Sequence, residues 1–239
     1  MIVQLFIPCF VDQLYPDTAF NMVKVLEKAC CDVRYNGNQT CCGQPAFNAG
    51  FLEESKEVCT KFLKDFSGME YIVAPSASCV GFIRNYYLKL YENSTYHNDV
   101  KELQKRVFEL SEFLVNILHI EKFGAVLEAK ATYHDSCAGL RECGIKTEPR
   151  KLLSHVKGLE LVEMNDVETC CGFGGTFAVK FEAISVAMAD QKSNNAMQTG
   201  AAYIISTDHS CLMHIGGVSA KKGLTLKTMH LADVLASGW

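Results

Sequence analysis

The sequence predicts an α/β protein built from two tandem duplicated modules, each a parallel sheet flanked by helices, related by pseudo-two-fold symmetry. Two observations carry this expectation. A four-cysteine pattern occurs twice in the chain, and within each occurrence short apolar runs alternate with stretches of helical periodicity.

The pattern is Cys9, Cys41-Cys42-Gly43 and Cys79 in the first half, and Cys137, Cys170-Cys171-Gly172 and Cys211 in the second. Equivalent cysteines are offset by 128 to 132 residues. Both halves also close alike, since residues 107–114 and 228–235 each read as a short strand running into a helix. The modules are expected at residues 1–124 and 125–239, with the join around Gly124.

Each element has a local reason. Residues 2–7 are an apolar, β-branched run that reads as a buried strand, ended by Pro8 and followed by Cys9. A helix is expected over 16–29, with proline tolerated at its start and Val23, Leu26 and Ala29 on one face. Residues 32–35 form a second strand, Asn36-Gly37-Asn38 a turn, and Cys41-Cys42-Gly43 the loop beyond it. Helical spacing of Val58, Cys59, Phe62, Leu63 and Phe66 predicts a helix over 50–66. Residues 71–74 make a third strand, with Cys79 in the loop at its end and a long helical region after it. In the second half the strands are expected at 131–134, 159–162 and 201–206, leading to Cys137, Cys170-Cys171 and Cys211.

Composition narrows the function. The chain has 239 residues, 49% hydrophobic and 21% charged, enough to bury a substantial core. Its net charge is −4 with no basic stripe, which argues against a nucleic-acid partner. No run of 18 apolar residues is present, and no transmembrane segment is expected. The first residues lack the basic region of a signal peptide, so a cytoplasmic location is expected. The 12 cysteines stand out. Disulfide frameworks belong mainly to small secreted domains. In a reducing compartment clustered thiols more often serve metals or redox chemistry.

In open parallel sheets, ligands sit beyond the carboxyl ends of the strands. All of the repeated cysteines follow strands at that end, so residues distant in sequence converge. Four thiolates can hold zinc or an iron–sulfur cluster. The Cys-x-x-Cys knuckle usual for structural zinc is absent, as is the ferredoxin cysteine run. Gly172, Gly174 and Gly175 precede a helix expected from Thr176, and a helix start with free N–H groups favours anionic sulfur. Cys30, Cys31 and Cys59 read as small core residues. Cys143 reads as a bystander, with approach to the bound group or a resolving thiol as the alternatives. His134 reads as structural or as a hydrogen-bonding neighbour of the site, and His214 as a polar neighbour, with a ligand as the alternative. No dinucleotide fingerprint, Walker loop, nucleophile elbow or His-Glu-x-x-His motif occurs.

These motifs resemble a known family. The doubled Cys…Cys-Cys-Gly…Cys pattern is similar to the cysteine-rich CCG domain of heterodisulfide reductase and of the glycolate oxidase iron–sulfur subunit. The closer resemblance is to the lactate-utilisation protein A family, through Cys41-Cys42-Gly43-Gln44-Pro45-Ala46, Tyr133-His134-Asp135-Ser136-Cys137, Cys170 to Phe177 and Ser210-Cys211-Leu212. It extends over essentially the whole chain. The resemblance implies an iron–sulfur electron-transfer subunit of a complex oxidising L-lactate to pyruvate, not active alone, with a larger iron–sulfur subunit and a small third subunit as partners. Heterodisulfide reductase carries a fifth cysteine in a final Cys-x-x-Cys. Here Phe82 and His214 stand at that place. A four-thiolate 4Fe–4S cluster is therefore expected, one or two per chain, on Cys9, Cys41, Cys42 and Cys79 and on Cys137, Cys170, Cys171 and Cys211, with zinc in one module as the alternative. The competing functions are a thiol–disulfide redox protein and a structural zinc scaffold.

Overall fold

The computed structural model describes residues 1–239. Eight strands form two four-stranded sheets, all parallel. The first contains β1 (Ile2–Leu5), β2 (Asp32–Tyr35), β3 (Tyr71–Ala74) and β4 (Val107–Glu109), in the order β2-β1-β3-β4. The second contains β5 (Val126–Tyr133), β6 (Lys157–Leu161), β7 (Tyr203–Ser206) and β8 (Lys227–His230), in the order β6-β5-β7-β8. The duplicated α/β architecture is therefore present, with one topology used twice.

Strand position explains strand chemistry. The inner strand β3 is covered on both faces, so Ile72, Val73 and Ala74 are all fully buried and apolar in succession. The edge strand β2 is short, charged and mostly exposed, which discourages pairing with another chain. Leu5 pairs with Val73 in the first sheet, and Tyr133 with Ile205 in the second.

Several boundaries differ from expectation. The helix expected over 50–66 is present as Leu52–Asp65, and an unexpected helix, Gln44–Ala49, precedes it and ends at Gly50, whose φ is 90°. An unexpected short helix, Cys9–Leu14, begins at the first cysteine. Strand β5 starts at Val126 because sheet pairing with β6, through a bulge between Val126 and Ala129, overrides the charged sequence there. Strand β6 is shifted to Lys157–Leu161, and β7 starts at Tyr203. Cys79 and Cys211 lie not in loops but in the first turns of the helices Ala77–Leu90 and His209–Lys221.

The two halves pack reciprocally. Helix Pro16–Lys28 of the first lies on Leu231–Leu235 of the second, and Thr147–Ser154 of the second lies on Leu110–Glu112 of the first. Helix Ala77–Leu90 meets the π-helical turn Ala138–Glu142, and His209–Lys221 meets Cys9–Leu14. Matched contacts in both directions are the mark of a two-fold relation. One buried cluster runs across the join, with Val3, Met22 and Leu26 from one side and Tyr133, Leu152 and Leu235 from the other. Each half keeps a smaller cluster of its own beneath its cysteine pair, around Phe62 and Phe82 in the first and around Ile204 and Ile215 in the second.

Candidate metal centre

The carboxyl ends of both sheets open into one cavity of about 730 Å³. Cys9, Cys41, Cys42 and Cys79 line it from one side, and Cys137, Cys170, Cys171 and Cys211 from the other. The remaining four cysteines stand apart from it. Phe10 and Phe173 face each other across the gap, ring centroids 6.3 Å apart.

The two sets are built alike. After β2, the chain turns through Cys41-Cys42 into Gly43, which has φ 91° and leads into helix Gln44–Ala49. The Gly43 amide donates to Cys41 Sγ at 3.4 Å, and Ser55 Oγ donates to the Gly43 carbonyl at 3.0 Å. In the second module Gly172 has φ 89°, its amide donates to Cys170 Sγ at 3.4 Å, and Ser185 Oγ donates to its carbonyl at 2.7 Å. A positive φ lets the chain fold back so that both thiols of the pair face the cavity side. Cys42 Sγ lies 3.4 Å from Cys79 Sγ, and its backbone carbonyl accepts the Tyr87 hydroxyl at 2.7 Å.

Each set concentrates negative charge on one sulfur. Hydrogen bonds from Cys42, then Cys9, with further help from the Gly43 amide, hold the Cys41 thiol down to about 3. Cys9 and Cys42 are correspondingly pushed up, first by their hydrogen bonds to Cys41. In the second set hydrogen bonds from Cys137 and then Cys171 hold Cys170 down to about 2, and both donors are pushed up. Soft sulfur donors linked in this way, with one thiol of each set held toward its ionised form, fit a group that binds thiolates. An iron–sulfur cluster and zinc both satisfy that donor chemistry.

His134 adds a nitrogen to the second set. It is fully buried, and neither ring nitrogen has a hydrogen-bond partner. A donor atom of its ring lies within 4.8 Å of the sulfurs of both Cys171 and Cys211. Burial pushes its pKa down to about 3, leaving the neutral, metal-binding form of imidazole. His214 instead engages Ser185 through Nε2, 2.9 Å from the hydroxyl and 3.2 Å from the carbonyl, and steadies the Gly172 loop as a polar neighbour.

The other cysteines have local roles. Cys59 is buried behind the first pair and donates to the Cys42 carbonyl at 3.5 Å. Cys143 does not line the cavity; it donates to the Ala77 carbonyl at 3.5 Å, and burial pushes its thiol up. Cys31 belongs to the shared core, and Cys30 is exposed. Sequence reasoning overlooked Asp208 and Lys192, both nearly fully buried. Asp208 stands in Thr207-Asp208-His209-Ser210-Cys211, and a charge so close to a repeated cysteine was the available signal.

Comparison with known proteins agrees with the duplicated fold. The cysteine-rich domain family abbreviated CCG matches residues 3–84 and 131–216, one match per module. A lactate utilization protein A from Halalkalibacterium halodurans is 44% identical over 235 residues, covering 98% of this chain and 96% of the relative. The protein of that name from Bacillus subtilis is 41% identical over 237 residues, covering 99% of this chain and 100% of the relative. The crystal structure of a hypothetical protein from Helicobacter pylori shares the fold, with a TM-score of 0.59 at 12% identity, covering 100% of this chain and 49% of that one. With the cysteine sets matched in both halves and relatives aligned end to end, the chain belongs to the cysteine-rich CCG domain family and, within it, to the lactate utilization protein A family.

Proposed function

We propose that this chain is an iron–sulfur electron-transfer subunit of a cytoplasmic complex that oxidises L-lactate to pyruvate. The observation that carries the reading is the convergence of eight cysteines, four from each module, on one cavity. The names of its relatives supply lactate utilization as the context. Cys9, Cys41, Cys42 and Cys79 would hold one 4Fe–4S cluster, and Cys137, Cys170, Cys171 and Cys211 a second, with module limits at 1–124 and 125–239.

Such a cluster, when bound, takes up and releases single electrons. The protein's own part is to hold the sulfurs and tune their surroundings. The Gly43 and Gly172 amides point N–H groups at Cys41 and Cys170 and stabilise their negative charge. The walls are mainly apolar, and buried sulfurs such as Cys42 and Cys171 are shielded from water. Lactate oxidation releases two electrons, so two one-electron sites beside those of a larger iron–sulfur subunit and a small third subunit form a sensible relay. Val179, exposed at the cavity lining, suits contact with such a partner.

The test is the content of iron, acid-labile sulfide and zinc in protein purified without oxygen, with electron paramagnetic resonance before and after reduction. About four irons and four sulfides per site, with a signal that responds to reduction, are expected. Zinc without sulfide would leave a scaffold on the same fold and remove the electron-transfer role. Lactate-dependent reduction in the presence of the partner subunits then tests the substrate.

A further inference from the structure

We propose that the two cysteine sites are unequal: in the second, His134 supplies a nitrogen donor in place of one of the four thiolates assigned above, and a cluster there has a more positive reduction potential than one in the first. The proposal rests on the iron–sulfur reading above.

The duplication makes the comparison internal. The residue three before the first cysteine of each set is Phe6 in one module and His134 in the other. Helices Leu52–Asp65 and Glu182–Gln198 also correspond, through the serines that bond the paired-cysteine loops, Ser55 and Ser185. Seven residues beyond those serines stand Phe62 and Lys192. Phe6 and Phe62 pack edge to face, ring centroids 4.8 Å apart, and give the first site an apolar floor. At the same two places the second site has an imidazole and an ammonium group, both nearly fully buried.

A buried imidazole without a hydrogen bond is costly. A histidine where the first module has phenylalanine makes physical sense if the ring acquires a partner on loading. The nearest groups that could supply one are at the Cys171–Cys211 site. Lys192 is accounted for differently, since its Nζ donates to the carbonyls of Asp166 (2.6 Å) and Val167 (3.1 Å) in the segment leading to Cys170. Its charge remains beneath the second site. Imidazole in place of thiolate raises the potential of an iron–sulfur centre, and a nearby cation favours the reduced, more negative state. Both substitutions therefore act in one direction, and electrons would settle on the second site.

The experiment uses the full chain, loaded without oxygen, with isotope-labelled histidine and pulsed electron paramagnetic resonance of the reduced state, together with a potentiometric titration. Two separate potentials and a strong histidine-nitrogen coupling are expected in the unmodified protein. In His134→Phe, which installs the residue of the first module, the coupling should vanish and the higher potential should fall. In Lys192→Met the potential should fall while the coupling persists. The labelled unmodified protein is decisive even where a variant fails to fold. Iron and sulfide present without any histidine-nitrogen coupling, or two coincident potentials, would overturn this proposal and leave the electron-transfer reading standing. Absence of iron and sulfide would overturn both.

Discussion

Ser76 and Asp208 occupy the same place in the two modules, three residues before the last cysteine of each set, and they meet: the Ser76 hydroxyl donates to Asp208 Oδ1 at 3.0 Å. Equivalent residues touch in this way only close to a two-fold axis. The Ser78 amide donates to the same oxygen at 3.1 Å, and Ser136 Oγ donates to Oδ2 at 2.6 Å. A single carboxylate, 2% exposed, thus ties three strand ends around the cavity.

Asp208→Ala should therefore loosen the join between modules. It strands two hydroxyls and an amide that now reach a charged acceptor, for an expected loss of about 3 kcal/mol. Chemical denaturation of the purified protein measures it. A loss below about 0.5 kcal/mol would mean that the shared apolar core alone sets the join.

Gly43→Ala and Gly172→Ala should each disable one cysteine pair. A Cβ at Gly43 would stand 2.9 Å from Cys59 Sγ and 3.1 Å from the Ser55 carbonyl oxygen; at Gly172 it would stand 2.6 Å from the Ser185 carbonyl oxygen. With positive φ added, the expected cost is about 1–3 kcal/mol each, and more at Gly172, where the backbone obstacle is closer. Metal content should fall in the affected module. Full metal retention in both variants would show that the loops tolerate another conformation.

Cys171→Ser or Cys211→Ser should remove the metal of the second module and lower its stability, because ligand binding and folding are coupled. Cys59→Ser should keep metal content and cost about 1 kcal/mol of packing. Metal analysis of the three variants side by side separates the roles. Equal loss in all three would refute the assignment of the thiols.

Glu109 should give the protein a pH-dependent stability. It is fully buried, and burial pushes its carboxyl up to about 8 against hydrogen bonds from the Ser111 hydroxyl and amide. Between its ordinary value of 4.5 and about 8 the folded protein keeps a proton that the unfolded chain has released. Stability contributed by this group therefore falls as pH rises through that window. Glu109→Gln should flatten this fall and exceed the parent in stability above pH 8, as read by thermal unfolding across pH. An unchanged pH profile would count against it. The equivalent residue of the second module is His230, which caps the corresponding helix by accepting the Ala232 amide at 3.1 Å.

Much of the architecture was legible in the chain. The repeat of Cys9, Cys41-Cys42 and Cys79 as Cys137, Cys170-Cys171 and Cys211 announced the duplication, and the apolar runs at Ile2–Leu5 and Tyr71–Ala74 announced buried parallel strands. These signals are local: periodicity, glycine conformation and residue spacing act within a few turns of chain. Element ends were less legible. Cys79 looked like a loop residue because Pro75-Ser76 reads as a turn as readily as a helix start, Ser76 being the N-cap of Ala77–Leu90, and the early start of β5 depends on pairing with β6.

By itself, then, the sequence determined two copies of an α/β module and the repeated cysteines that each carries. Only the tertiary structure decided that both sets face one cavity, that Ser76 meets Asp208, and that His134 and Lys192 stand where Phe6 and Phe62 stand. The reason is physical. Which residues approach one another across modules depends on how two sheets bury their remaining apolar faces in a common core, a choice made by the packing of the whole chain rather than by any segment of it.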